Sequence, residues 1–379
     1  MSKKTKEILK FIGIIFVAWR LILLLIAWVG SYFIPLREDY LGGGILNYLK
    51  NPLLWSWANF DGVHYLIIAK QGYYQYQQAF FPFYPYLIRY LATFTKNYLF
   101  SGLLISHLLF FVALFLLYKL IRLDFSQGVV KRSLVYLLVF PTSFYFGSLY
   151  TESLFLALVV GSFYTARKKQ WGIAGILGAL ASATRLAGIF LFPALLIEWW
   201  EQNKKSKTKN VKSLLPLFLI VFGLLFYMWY LDRTVDDPLY FIHVQPFFGA
   251  QRTGGKLILL YQVFWRYLKM LVTVEKLTPT YFACLLEFFS GLAFLVLTIF
   301  TYLRLRRSYF VFMALAFLVP TLTGTFSSLP RYVLICFPGF ILLSLWSEKY
   351  RWLKRLYPVV AVAFLVVSVI LFTRGFFVA

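Results

Sequence analysis

The sequence predicts an all-α protein: a polytopic membrane bundle of about eleven spanning helices, forming one domain over residues 1–379. Three observations lead there. Of the 379 residues, 61% are hydrophobic and only 14% are charged, where an ordinary soluble domain has about a quarter charged. The apolar residues come in runs that approach the roughly 20 residues needed to cross a bilayer. The basic residues gather in short tracts between those runs, as topology signals do.

The first run, 11–34, follows Lys3, Lys4, Lys6 and Lys10. It is long enough to span and no small-residue cleavage site follows it, so it reads as a retained helix rather than a leader. Further spans are expected near 99–121, 133–149, 152–166, 171–185, 187–200, 213–231, 280–303, 309–325, 331–347 and 356–374. The stretch 256–276 is apolar but carries Lys256, Arg266, Lys269 and Lys276, which suits a segment lying on the bilayer surface. The tracts at 3–10, 119–132, 167–169, 204–212, 304–307 and 349–355 fall on one side and hold most of the 38 basic residues. That places the N-terminus in the cytoplasm and the C-terminus outside. Two long outer loops result, 35–98 and 232–279. The first is rich in Trp and Tyr from Trp55 to Tyr86 and suits short helices at the headgroup level. Only 202–212 reads as a solvated cytoplasmic loop.

The formal charge of +24 would suggest nucleic acid in a soluble protein. Here topology accounts for it, and no nucleic-acid partner is expected. Cys284 and Cys336 fall within apolar spans, lack metal spacing and read as packing residues.

Four ionisable residues are expected at outer ends of spans, all in apolar turns. They are Asp61 in Asn59-Phe60-Asp61-Gly62-Val63-His64-Tyr65 and Glu152 in Tyr150-Thr151-Glu152-Ser153. The others are Arg185 in Ala183-Thr184-Arg185-Leu186-Ala187-Gly188 and Arg331 in Ser327-Ser328-Leu329-Pro330-Arg331-Tyr332. Charges beside the hydrocarbon cost desolvation and mark functional sites. Taken singly, each has a structural reading. Asp61 fits a helix N-cap, Glu152 the positive end of a helix dipole, the two arginines snorkelling to lipid phosphate, and His64 a packed ring. Converging on one membrane face from four distant segments, they predict a shared polar pocket. Asp61 and His64 are three apart, on one face of a helical turn, and offer two metal ligands. His107 and His243 lie elsewhere in the chain, so ligand spacing gives a divalent metal no support. No Gly-rich phosphate loop or nucleophile-elbow serine is present.

Five ordered blocks carry a resemblance. They are Asp61-Gly62-Val63-His64-Tyr65 with Ile68-Ala69 and Gly72-Tyr73; Phe81-Pro82-Phe83-Tyr84-Pro85; Phe140-Pro141-Thr142-Ser143-Phe144 with Tyr150-Thr151-Glu152-Ser153-Leu154-Phe155; Ala183-Thr184-Arg185 with Gly188; and Pro330-Arg331-Tyr332 with Phe337-Pro338. Together they resemble the GPI mannosyltransferase 2 family and its bacterial relatives, polytopic glycosyltransferases of the GT-C class. Phe60 departs from the pattern: the family carries Trp there, so the ring is kept and its N–H donor lost.

The resemblance implies transfer of mannose, with inversion, from a polyprenyl- or dolichyl-phosphate-mannose donor to a glycolipid or glycan acceptor on the non-cytoplasmic face. It implies Asp61 as catalytic base and Glu152 as a second catalytic carboxylate that orients Arg185 or the acceptor. Arg185 and Arg331 then pair with the lipid phosphate, with Tyr332 in the same binding set. His64 and Tyr65 hold sugar hydroxyls, and Tyr84 and Tyr86 form a stacking wall. The chain's length favours a bacterial plasma membrane over the endoplasmic reticulum. A different GT-C enzyme, of protein O-mannosyl or arabinosyl type, is the alternative. A flippase for lipid-linked saccharide is a further one, but it calls for midplane functional charges and inverted repeats, whereas these four charges gather at one face and no repeat is visible.

Overall fold

The computed structural model describes residues 3–204, 211–248 and 257–379, and among them every regular element is helical. Fourteen helices have eleven residues or more. In chain order they are α1 Lys3–Gly30, α2 Asp61–Gln71, α3 Phe83–Thr95, α4 Tyr98–Ile121, α5 Gln127–Leu138, α6 Glu152–Arg167 and α7 Trp171–Ser182. Then follow α8 Leu191–Asn203, α9 Leu219–Val235, α10 Leu260–Thr273, α11 Pro279–Arg304, α12 Arg307–Thr321, α13 Phe337–Lys349 and α14 Arg351–Thr373. Side chains fix several starts. Asn97 accepts from Phe100 N at 3.0 Å to open α4, and Thr278 accepts from Tyr281 N at 3.1 Å to open α11, with Pro279 at its first position.

Five stretches among the described residues are long and apolar enough to cross a membrane: Thr5–Gly30, Tyr98–Ile121, Val211–Val235, Pro279–Arg304 and Arg351–Thr373. A sixth arises if Leu329–Ile335 and Phe337–Lys349, bent by 81°, count as one span. The sequence suggests about eleven. The difference lies in helix continuity. The run 133–149 breaks at Phe140-Pro141 into the end of α5 and a 3-10 turn, Ser143–Gly147. The helices α6, α7, α8 and α12 have 16, 12, 13 and 15 residues, under the roughly 30 Å of a hydrocarbon core at 1.5 Å per residue. Much of their apolar surface meets protein rather than lipid, and α6 is buried over most of its length.

Segment 35–98 holds short helices, Gly44–Lys50 and Pro52–Trp55, then α2 and α3. The stretch expected at the bilayer surface forms α10, with Val263 and Tyr267 buried and Tyr261, Trp265 and Val272 exposed. Lys256 and the 249–256 part of the second expected outer loop lie outside the described residues, as do Lys205, Lys207 and Lys209 of the tract at 204–212.

Close approach through glycine holds α7 against the 3-10 segment Val211–Phe218 and α9. A Cβ on Gly175 would lie 2.0 Å from Pro216 O, and one on Gly223 2.1 Å from Ala179 O. Small residues of this kind let membrane helices touch backbone to backbone.

Arg132, Arg167 and Arg306, each from a different basic tract, form ion pairs at one end of the bundle. Arg167 at the end of α6 grips Asp124 with two N–H groups at 2.6 and 2.7 Å. Glu198, fully buried in α8, accepts from Arg306 at 2.9 and 3.1 Å, from the Ser308 hydroxyl at 2.6 Å and from Gln202 at 2.8 Å. Arg132 of α5 pairs with Glu348 of α13. Glu152 stands at the opposite end of α6, fifteen residues or roughly 22 Å away. Removing the carboxylate in Glu198→Ala leaves Arg306 and Ser308 without their shared acceptor. We expect a loss of about 3 kcal/mol, read as a lower thermal midpoint of the detergent-solubilised protein; an unchanged midpoint would show that the cluster contributes nothing.

Candidate active site

Asp61 is the first residue of α2, and the residue before it is held in an unusual backbone conformation. Phe60 has φ 55° and ψ −117°, a region that costs a non-glycine residue about 1–3 kcal/mol. Its surroundings hold it there. The ring lies 5.7 Å from Tyr40, 5.9 Å from Phe372 and 5.4 Å from Phe377. Asn59, fully buried, accepts from Gly42 N at 2.9 Å and donates to Phe372 O at 2.9 Å, and Tyr150 OH donates to Asn59 O at 2.8 Å. The cap position of α2 therefore belongs to Phe60, and the Asp61 carboxylate reaches Arg331, whose Nη1 donates at 2.5 Å.

Glu152 also opens a helix, α6, and its side chain is 1% exposed. Its Oε1 accepts from Arg185 Nη1 at 2.9 Å and lies 3.5 Å from Arg331 Nε. Arg185 is an extended residue that leads into a 3-10 turn, Leu186–Phe190. Arg331 sits on the single turn Leu329–Tyr332, which follows Ser328 at φ 66° and is fastened by Thr142 OH donating to Pro330 O at 2.7 Å. The result is an alternating chain, Asp61–Arg331–Glu152–Arg185. Side-chain exposure along it is 25%, 7%, 1% and 16%, so Asp61 is the acid open to a visitor. Glu152 Oε2 is buried without a hydrogen-bond partner.

Aromatic rings enclose the guanidinium groups. Arg331 Cζ lies 5.4 Å from the Tyr145 ring and 5.3 Å from those of Tyr150 and Tyr332; Arg185 Cζ lies 5.3 Å from Tyr332 and 5.8 Å from Phe155. These distances fall in the cation–π range, and Tyr332 serves both arginines.

The remaining sequence candidates take distinct places. Tyr65 is edge-on to Tyr150 at 6.3 Å and to Tyr84 at 5.3 Å. Tyr84 is fully buried behind it, donating to Gly102 O at 3.1 Å, with Ser106 Oγ at 2.8 Å. His64 stacks on Phe80 at 4.9 Å, with Gln77 Nε2 3.4 Å from its Nδ1. Burial holds its pKa below the ordinary histidine value, against the opposing pull of Asp61; it is therefore neutral at pH 7. Tyr86, half exposed, lines a separate cleft of about 120 Å³ with Tyr73, Arg89 and Tyr230. The structure thus brings Asp61, Glu152, Arg185, Arg331 and Tyr332 into one cluster with Tyr65 beside it. Among the described residues, no group of three or more His, Cys, Asp or Glu is placed to hold a metal ion.

Sequence reasoning passed over Asn59, Thr142, Tyr145 and Tyr150 as functional positions. Asn59, Thr142 and Tyr150 lie within quoted blocks, beside a charge or a proline. Tyr145 carries no local signal: its position under Arg331 depends on a partner 186 residues away.

Two crystal structures of the Archaeoglobus fulgidus oligosaccharyltransferase, one in complex with Zn and sulfate and one in the apo form, are similar to this chain at 14% sequence identity. The TM-scores are 0.43 and 0.42, over 95% of this chain and 53% and 56% of that one. This chain therefore spans about half the length of that protein. No curated protein matches it in sequence. The family model described as mannosyltransferase (PIG-V) matches residues 29–232, a stretch that includes Asp61, His64, Tyr65, Tyr84, Glu152 and Arg185 and stops short of Arg331. The match takes in more than half of the chain, and the protein belongs to this mannosyltransferase (PIG-V) family of glycosyltransferases.

Proposed function

We propose that the protein is a multi-pass membrane mannosyltransferase. It takes mannose from a polyprenyl- or dolichyl-phosphate-mannose donor and places it, with inversion, on a hydroxyl of a glycolipid or glycan acceptor. The observation that carries this reading is the alternating chain Asp61–Arg331–Glu152–Arg185, drawn from four distant segments. It offers a proton acceptor beside two guanidinium groups, the pair of functions that the reaction needs.

The acceptor oxygen attacks the anomeric carbon as the bond from that carbon to the phosphate oxygen breaks, through an oxocarbenium-like transition state. The leaving phosphate keeps the bonding electrons. An alcohol is a weak nucleophile, so its proton must pass to a base within hydrogen-bond reach. Asp61 takes that role because it is the more open acid, 25% exposed against 1% for Glu152. Arg331, whose Nη1 donates to Asp61 at 2.5 Å, holds the carboxylate in position. Guanidinium forks match phosphate oxygens bidentately. Arg185, 16% exposed, is the one more open to the donor phosphate, and Arg331 supports it from below. Glu152 orients both arginines. His64, neutral, and Tyr65 supply hydrogen bonds to sugar hydroxyls; Tyr84 backs Tyr65 from inside the fold, and Tyr86, in its separate cleft, forms no stacking wall with it. No step is assigned to a metal ion.

We place the site on the non-cytoplasmic side, with segment 35–98 and α10, because the basic tracts gather at the other end of α6 and such tracts favour the cytoplasm.

Incubating membranes with radiolabelled polyprenyl-phosphate-mannose and identifying the labelled product tests the activity; absence of any mannosylated product would overturn it. In the same assay Asp61→Asn should lower kcat by about 10²–10⁴-fold, and full activity would remove Asp61 as the base. Arg185→Gln should cost about 10²–10³-fold, and a loss confined to the acceptor KM would reassign Arg185 to acceptor binding.

A further inference from the structure

Arg20 is a cation inside α1 that takes part in neither the site's ion chain nor the cluster around Glu198. It stands ten residues before the end of α1 at Gly30, roughly 15 Å along the helix axis. Among the described residues it enters no ion pair. Its buried Nη1 has no hydrogen-bond partner. Its neighbour Trp57, fully buried, holds a second such donor: the guanidinium carbon lies 4.2 Å from the Trp57 ring centroid, and Trp57 Nε1 is also without a partner. Space is kept open for the arginine at Gly147, where a Cβ would stand 2.8 Å from Nη1.

An arginine at membrane depth without an acid is costly, and such residues pair with something when they persist. The geometry points to a lipid phosphate. We propose that Arg20 and Trp57 form a site for the phosphate of a membrane lipid, reached sideways from the bilayer. Two unshared N–H groups on adjacent, oppositely built side chains suit the oxygens of one phosphate. The approach is lipid-facing. Arg20 is itself partly exposed, and on α1 its neighbours Val17 and Leu21 are 53% and 60% exposed. An acyl or isoprenoid chain can therefore lie along α1 while its phosphate turns inward.

The site is separate from the ion chain but shares its supports. Trp57 is two residues from Asn59 and four from Asp61, and Gly147 is five from Glu152. Trp57 O accepts from Leu149 N at 2.8 Å, tying the two segments together. A phosphate here therefore sits on the same pair of segments that carry both carboxylates. Where the lipid is the isoprenoid carrier, the inference rests on the mannosyltransferase reading; where it is a bilayer phospholipid, it does not.

Native mass spectrometry of the purified full chain, given polyprenyl phosphate or phosphatidylglycerol in separate titrations, tests this. The wild type should retain at least one of them. Arg20→Gln should weaken retention about tenfold or more, and Trp57→Phe, which keeps the ring and removes the N–H, by several-fold. A preference for polyprenyl phosphate that Arg20→Gln removes assigns the site to the carrier, and equal losses of both lipids in that variant assign it to bilayer phosphate. Should Arg20→Gln fail to fold, Trp57→Phe decides, and retention equal to wild type in that variant overturns the site. Failure of the wild type to transfer mannose would undo the proposed activity while leaving these retention values to stand.

Discussion

Four charges packed against one another beside a bilayer are stable only in alternation. Asp61, Arg331, Glu152 and Arg185 supply two negative and two positive groups in that order, each touching a neighbour of opposite sign. Deleting any one leaves an uncompensated charge in an apolar setting, which costs more than an intact pair contributes. The constraint reaches far along the chain, because α2, α6, the turn before Leu186–Phe190 and the turn Leu329–Tyr332 must all end at one point. Both acids occupy the first position of a helix, where the positive end of the backbone dipole favours a carboxylate. Helix geometry and ion pairing thus act in the same direction. Burial then divides their roles: Glu152 is enclosed and organises the arginines, while Asp61 keeps an open side.

This cluster was legible in the sequence because charge is scarce there. When so few residues are ionised, an aspartate, a glutamate and two arginines at expected outer span ends stand out even at separations of up to 270 residues. Their structural readings fail for a local reason in one case: Phe60 takes the cap position and directs the Asp61 side chain elsewhere. The span count was less legible, because hydropathy adds up apolar residues without registering breaks. Phe140-Pro141 interrupts one run, and Cys336-Phe337 bends another by 81°. At the basic end, the arginines served as topology signals, and nothing in local spacing joins Arg306 to Glu198 across 108 residues. Tyr84 shows the limit for aromatic residues: composition places the ring near the site, but only packing shows its hydroxyl engaged with α4.

The strain at Phe60 raises the question of what holds it, and the answer lies at the far end of the chain. The last turn of a helix leaves backbone carbonyls without intrahelical partners. The end of α14 hands these to the segment that carries Asp61. Phe372 O accepts from Asn59 at 2.9 Å, Thr373 O from Tyr48 OH at 2.6 Å, and Arg374 O from Arg37 N at 2.9 Å. Arg374 returns a bond from Nε to Ile34 O at 2.8 Å, and Val378 O accepts from Tyr145 OH, beneath Arg331, at 2.7 Å. One helix terminus therefore satisfies its own orphan acceptors by seating residues 34–59. It also places Phe372 and Phe377 around the Phe60 ring. The strained residue is over-determined from several directions, as a stored strain of this kind requires. That is why the approach to Asp61 involves residues some 310 positions apart, and why a ring at position 60 serves the geometry even where the indole N–H is missing.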